Sequence, residues 1–137
     1  IRKMHDFLTV GAAAPLQDAG AVALGLPDSY YVDLARDYVD RRDRLIGILN
    51  NVGFDVIIPR GAYYVMCDIS KWGYPNDVDF CRYLIEEVGV AAVPGSSFFR
   101  NPQSGRNLIR FTFCKKEETL ALAEERMASV RAGAARG

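Results

Sequence analysis

The stretch Leu108-Ile109-Arg110-Phe111-Thr112-Phe113 decides the fold of this chain. Its β-branched and aromatic residues predict a β-strand, because such side chains fit a pleated, half-buried surface. Side chains alternate along a strand, so the three apolar residues at the odd-numbered positions share one face, and Arg110 and Thr112 share the other. The strand therefore offers one face to an apolar core and the other to water or a ligand.

The sequence on either side of this strand predicts further strands and several helices. Runs with helical apolar spacing and β-rich runs follow one another, separated by glycines and prolines. In chain order they are a short helix from Pro15 that Gly25 ends, a long helix over 30–52, strands over 54–58 and 62–69, a helix over 77–88 capped by Asp77 with Phe80, Leu84, Ile85 and Val88 facing inward, a strand over 90–93, and a helix over 116–130. They predict an α+β layer structure, a small mixed sheet with helices packed mainly on one face.

Composition excludes several classes of protein. The 137 residues carry 17 Lys and Arg against 17 Asp and Glu, and half of them are hydrophobic. A nucleic-acid or anionic-membrane surface would usually leave a basic excess. No apolar run approaches the roughly 20 residues of a membrane helix, and residues 1–6 lack the apolar region of a signal peptide. We therefore expect a cytoplasmic protein with no nucleic-acid or membrane partner.

The cysteines and the single histidine do not indicate a metal or nucleophile site. Cys67, Cys81 and Cys114 are an odd number without Cys-x-x-Cys spacing, so we interpret them as reduced, partly buried thiols. His5 lies close to the chain end, where a Ser-His-Asp triad or a histidine metal site is poorly supported. We predict no metal.

Arg110 is the most informative single residue. A guanidinium in the middle of an otherwise apolar strand needs an acidic partner or open water. If its face lines a cleft, its planar fork suits bidentate binding of a carboxylate. The alternative is a strand with one face in solvent.

Two glycine-containing turns are further candidates. In Val93-Pro94-Gly95-Ser96-Ser97-Phe98-Phe99 a strand runs into a tight turn whose glycine allows close approach of a ligand. Pro59-Arg60-Gly61-Ala62-Tyr63-Tyr64 combines a glycine and a small alanine with two tyrosines that could line a bound group. Each is also compatible with an ordinary turn.

The chain resembles the C-terminal part of the class I and II aminotransferases. These are pyridoxal-phosphate enzymes of the aspartate aminotransferase fold type. The resemblance lies in the order and spacing of four features: the long charged helix, the two turns, and the Arg110 strand followed by a helix. The resemblance covers nearly the whole chain, and residues 5–17 resemble the family segment that follows the cofactor lysine. It implies transfer of an amino group between an amino acid and a 2-oxo acid by a homodimeric enzyme.

The resemblance also assigns roles to individual residues. Arg110 matches the arginine that binds the α-carboxylate of the substrate. Phe99 stands where many relatives have glycine, so it receives no role. The remaining substrate-site residues implied by the family are Gly61, Ala62 and Tyr63 near the substrate entrance, and Pro94, Gly95 and Ser96 at the border of the active site.

No residue of this sequence matches the family's cofactor lysine. Ser70-Lys71-Trp72-Gly73 imitates its context, but no Gly-x-Arg-x-Gly follows. We therefore expect no catalytic or cofactor-binding residue here and no activity of the chain alone. The expected division is a remnant of the larger domain over 1–26, the aminotransferase small domain over 27–132 and a frayed tail over 133–137, in a chain cut from a larger protein.

Two alternatives of other classes stay open. A stand-alone amino-acid-binding or regulatory module would use the same Arg110 cleft without catalysis. A protein interaction domain has only Tyr30 and Tyr31 in its favour. Within the family, the sequence does not identify the substrate, nor does it separate a transaminase from a decarboxylase, lyase or synthase of the same fold type.

Overall fold

The computed structural model describes residues 3–5 and 11–130. The chain forms two compact units, and the boundary between them follows Ala35. The first unit contains helix α1 (Ala14–Leu24) and the start of helix α2 (Asp28–Val52). Pro15 lies in the first turn of α1 and Gly25 ends it, as predicted. The predicted frayed tail, 133–137, lies outside the described residues.

A four-stranded sheet organises the second unit. Its strands are β1 (Asp55–Ile57), β2 (Tyr64–Asp68), β3 (Val93–Pro94) and β4 (Leu108–Thr112), in the spatial order β1-β2-β4-β3. Each of these pairings is antiparallel, which makes the sheet more uniform than the mixed sheet that the sequence predicts. In this register Arg110 lies opposite Met66 on one side and Val93 on the other.

The core lies on one face of this sheet. The second half of α2, helix α3 (Asp77–Tyr83) with the wide turn that continues it (Leu84–Val88), and helix α4 (Glu117–Met127) contribute side chains to it. Their partners on the sheet include the alternate residues Val65, Cys67, Ile109 and Phe111. The predicted α+β class and the predicted alternation along β4 are both confirmed. Within the described residues, no helix has the length and apolar character to cross a membrane.

Two details of α3 differ from the prediction. Asn76, not Asp77, caps the helix, since its side-chain oxygen accepts the backbone N–H of Asp79 at 2.9 Å. Ile85, predicted to face inward, is 54% exposed. It lies in the wide π-helical turn, where more residues per turn rotate it away from the positions that a regular helix would bury.

Candidate functional site

Arg110 lies at the centre of the sheet's second face. Its guanidinium carbon is 4.2 Å from the ring centroid of Phe98 and 5.0 Å from that of Tyr64. Both distances are within the range of cation–π attraction. Arg110 forms no ion pair with any residue that the structure describes. No acidic residue in the described part of the chain therefore pairs with Arg110.

The surroundings of Arg110 are half-buried. The side chains that share its face on β2 and β4 are intermediate in exposure, in contrast to the fully buried opposite face. Arginine has five donors in a rigid planar fork. A half-buried fork supported by aromatic rings is suited to a planar anion such as a carboxylate, because partial desolvation strengthens charge-assisted hydrogen bonds.

The turn that begins at Gly95 is built against β4. Pro94 pairs with Ile109, the residue before Arg110, and the 3₁₀ turn Gly95–Phe98 follows directly. Gly95 is buried, and a Cβ on it would lie 2.5 Å from the carbonyl oxygen of Leu108. Only glycine fits this approach of backbone to backbone. The structure thus brings the predicted Pro94, Gly95 and Ser96 next to Arg110.

Asp77, the first residue of α3, is hydrogen-bonded to this turn and is a site residue that the sequence did not predict. It is 2% exposed, and its Oδ2 accepts the backbone N–H of Ser96 at 2.7 Å. Its own backbone N–H donates to the carbonyl of Arg106 at 2.8 Å. The sequence predicts Asp77 as a helix cap. An acid that caps a helix and an acid that is buried at its start occupy the same position in the sequence, so no local feature distinguishes the two roles.

The turn before β2 is only partly joined to Arg110. Tyr63 is half-exposed, and its ring lies 5.6 Å from that of Tyr64, which in turn contacts Arg110. Gly61 and Ala62 instead line a cavity of about 160 Å³ together with Tyr38, Arg42 and Phe113. Ala62 has a φ of 64°, an uncommon backbone conformation for alanine.

Lys71 forms an ion pair with Asp55, on a different strand from Arg110. Its Nζ lies 2.7 Å from Oδ1 of Asp55, and both side chains are well exposed. Asp55 belongs to the edge strand β1, at the opposite side of the sheet from β3. Across residues 3–5 and 11–130, no group of three or more histidine, cysteine, aspartate or glutamate side chains could hold a metal ion.

Comparison with known proteins agrees on one family. Residues 1–126 match the family model described as aminotransferase class I and II. The chain is 39% identical over 127 residues to the methionine aminotransferase of Escherichia coli, a match that covers 93% of this chain and 33% of that protein. It is 37% identical over 136 residues to a probable N-succinyldiaminopimelate aminotransferase of Mycobacterium tuberculosis, with 93% and 34% covered.

Solved structures give the same result. The N-succinyldiaminopimelate aminotransferase of Mycobacterium tuberculosis superimposes with a TM-score of 0.80 at 38% identity, over 90% of this chain and 32% of that one. The Escherichia coli methionine aminotransferase structure gives 0.79 at 37% identity, over 94% and 34%. The chain thus spans about a third of the length of the relatives that it matches.

Proposed function

The chain belongs to the class I and II aminotransferases, and from this premise we propose that it is the small domain of an enzyme that transfers an amino group between an amino acid and a 2-oxo acid. We propose further that Arg110 binds the α-carboxylate of the substrate. The observation that carries this role is a half-buried arginine whose guanidinium contacts two aromatic rings and forms no ion pair with any described residue.

Arg110 contributes binding and orientation. Two parallel N–H donors to one carboxylate fix its plane as well as its position. The carboxylate is attached to the α-carbon, so this contact also sets the direction of the α C–H bond, and correct orientation can lower a reaction barrier by several kcal/mol. The rings of Tyr64 and Phe98 restrict the guanidinium before substrate arrives, which reduces the entropy lost on binding.

The two turns form the proposed borders of the site. The turn of Pro94, Gly95 and Ser96 lies beside Arg110 on the sheet. Tyr63 reaches Arg110 through Tyr64, and we place Gly61 and Ala62 at the entrance, where the absence of a large side chain leaves room. These residues exclude water and shape the entrance, and we assign none of them a catalytic role.

The family implies pyridoxal phosphate, which supplies an electron sink when bound. The one described lysine in a comparable sequence context, Lys71, is paired with Asp55 on the surface. We infer that the cofactor is bound by the part of a complete aminotransferase that this chain does not span, and that the chain alone is inactive. A homodimeric, cytoplasmic enzyme is proposed from family membership alone.

Substitution of Arg110 in the complete enzyme tests the proposal. Replacing it with alanine removes two charge-assisted hydrogen bonds, so KM for both the amino acid and the 2-oxo acid should rise roughly 100-fold. In Arg110→Lys the increase in KM should be smaller. Arg82→Lys is the matched control, because Arg82 forms an exposed pair with Asp79. Unchanged KM values in Arg110→Ala would contradict the proposal. Equal affinity of the chain alone and the complete enzyme for the amino acid would favour a binding module.

A further inference from the structure

Asp77 is a buried acid that the proposed chemistry does not use. It is 2% exposed, while Asp79 in the same helical turn is only half-buried. Among the residues that the structure describes, no cationic side chain pairs with Asp77. A buried carboxylate without a counter-charge is costly, so it depends on the hydrogen bonds that it accepts.

The hydrogen bond that Asp77 accepts comes from the turn beside Arg110. Oδ2 lies 2.7 Å from the backbone nitrogen of Ser96. Hydrogen bonds to an ionised acceptor are about twice as strong as neutral ones. Asp77 also donates its backbone N–H to the carbonyl of Arg106, two residues before β4 begins. A single residue of α3 thus ties together the two segments that flank the Arg110 region.

The turn held by Asp77 carries Phe98. Ser96 and Phe98 belong to the same 3₁₀ turn, Gly95–Phe98. The ring of Phe98 lies 4.2 Å from the guanidinium carbon of Arg110, the shorter of that group's two aromatic contacts. Arg110 has no ion pair in the described structure, so these rings are what orients its fork. The contacts therefore run from Asp77 through Ser96 and Phe98 to Arg110.

We propose that Asp77 is a positioning residue for substrate binding: its carboxylate fixes the Gly95–Phe98 turn, and the ring of Phe98 in that turn fixes the guanidinium of Arg110. This inference rests on the proposed function of Arg110 as the carboxylate-binding group. It does not place Asp77 in contact with the substrate.

The first experiment uses the ¹⁵N-labelled chain and needs no catalysis. In Asp77→Ala, the Ser96 amide should exchange with solvent at least about tenfold faster, and the Nε–H resonance of Arg110 should shift as the Phe98 ring moves. Asp79→Ala is the matched control, with the Arg110 resonance unchanged. Asp77→Asn keeps the side-chain shape with a weaker acceptor, so it should show intermediate effects and decides the question if the alanine variant does not fold. An Arg110 resonance unchanged in every folded Asp77 variant would overturn the proposal.

The second experiment measures KM in the complete enzyme. Asp77→Ala should raise KM for the amino acid about tenfold, with Asp79→Ala unchanged. Phe98→Leu, at an exposed position, should raise it similarly, and the double variant should be no worse than either single one because both act through one contact. A KM increase in the double variant equal to the product of the two single increases would overturn the proposal.

Arg110→Ala separates the two hypotheses. If it leaves KM unchanged, the proposed function is wrong, and the ¹⁵N experiment still decides the role of Asp77. If it raises KM while Asp77→Ala does not, only the positioning role is wrong.

Discussion

The backbones of Gly95 and Gly105 pack directly against each other. A Cβ on Gly95 would lie 2.8 Å from the carbonyl oxygen of Gly105, and a Cβ on Gly105 would lie 2.5 Å from the carbonyl carbon of Gly95. The 3₁₀ turn that begins at the first glycine and the 3₁₀ turn that ends at the second (Pro102–Gly105) therefore meet without side chains between them. This contact sets the distance between the Gly95–Phe98 turn and the segment that leads into β4.

Adding a methyl group at this contact should destabilise the protein. Gly95→Ala and Gly105→Ala each force backbone apart, and we expect the free energy of unfolding in urea to fall by about 1–3 kcal/mol, the cost typical of overpacking. Gly47→Ala is the matched control, since Gly47 is a helical residue with open space around its Cα. It should gain roughly 1 kcal/mol from helix propensity. A Gly95→Ala variant as stable as the wild type would contradict the observed packing.

Gly61 should behave in the opposite way. A Cβ at this position meets no atom within 4 Å, and the backbone does not have the positive φ that favours glycine. Gly61→Ala should therefore leave the urea midpoint unchanged or raise stability by about 0.4–1 kcal/mol. If Gly61 leaves room for substrate, KM in the complete enzyme should nevertheless rise. An unchanged KM would remove Gly61 from the site.

The sequence could predict the sheet's central strand because one physical rule covers it. Alternation in β4 puts Ile109 and Phe111 in the core and Arg110 on the other face, and the structure confirms this. A guanidinium in the middle of an apolar strand needs an acidic partner or open water, so the same rule singled out Arg110 as the binding candidate. Long helices with a charged outer face, such as α2, were predictable for a similar reason.

The features that the sequence did not predict depend on contacts between residues far apart in the chain or on local departures from regular helix. Asp77 and Ser96 are 19 positions apart, and nothing near Asp77 in the sequence shows that its carboxylate will accept a backbone N–H from another segment. Ile85 fitted a regular helical period, but the chain widens into a π-helical turn there. The cation–π contact between Phe98 and Arg110 likewise exists only once the turn is folded against β4.

The buried thiols should be unreactive in the folded protein. Burial raises the pKa of Cys67 from 9.0 to about 12, with a further contribution from the charge of Asp55. Burial, followed by the charge of Asp77, raises the pKa of Cys81 to about 12. The thiolate is the reactive form, so a disulfide reagent at pH 8 should label the half-buried Cys114 first and reach the other two only after unfolding. Fast labelling of Cys67 in native protein would contradict this.

The same thiols give stability a pH dependence at high pH. The folded state holds these protons more tightly than the unfolded state, in which the ordinary pKa of 9.0 applies. Their contribution to the free energy of unfolding is complete below about pH 9 and is lost as the pH rises toward 12. Cys67→Ser and Cys81→Ser should therefore each flatten the alkaline decline in the urea midpoint relative to the wild-type chain. An equal decline in all variants would assign it to other groups.

Lys71 should not act as a cofactor lysine. Its Nζ lies 2.7 Å from Oδ1 of Asp55 on an exposed surface, so an incoming aldehyde would have to displace this ion pair. Pyridoxal phosphate added to the chain and treated with borohydride should leave substoichiometric adducts spread over the lysines, read by peptide mass spectrometry. Lys71→Arg should not change the total, and Asp55→Asn should raise labelling at Lys71 only modestly. One full equivalent at Lys71, absent in Lys71→Arg, would show a cofactor site within this chain and would contradict the proposal that the cofactor is bound elsewhere.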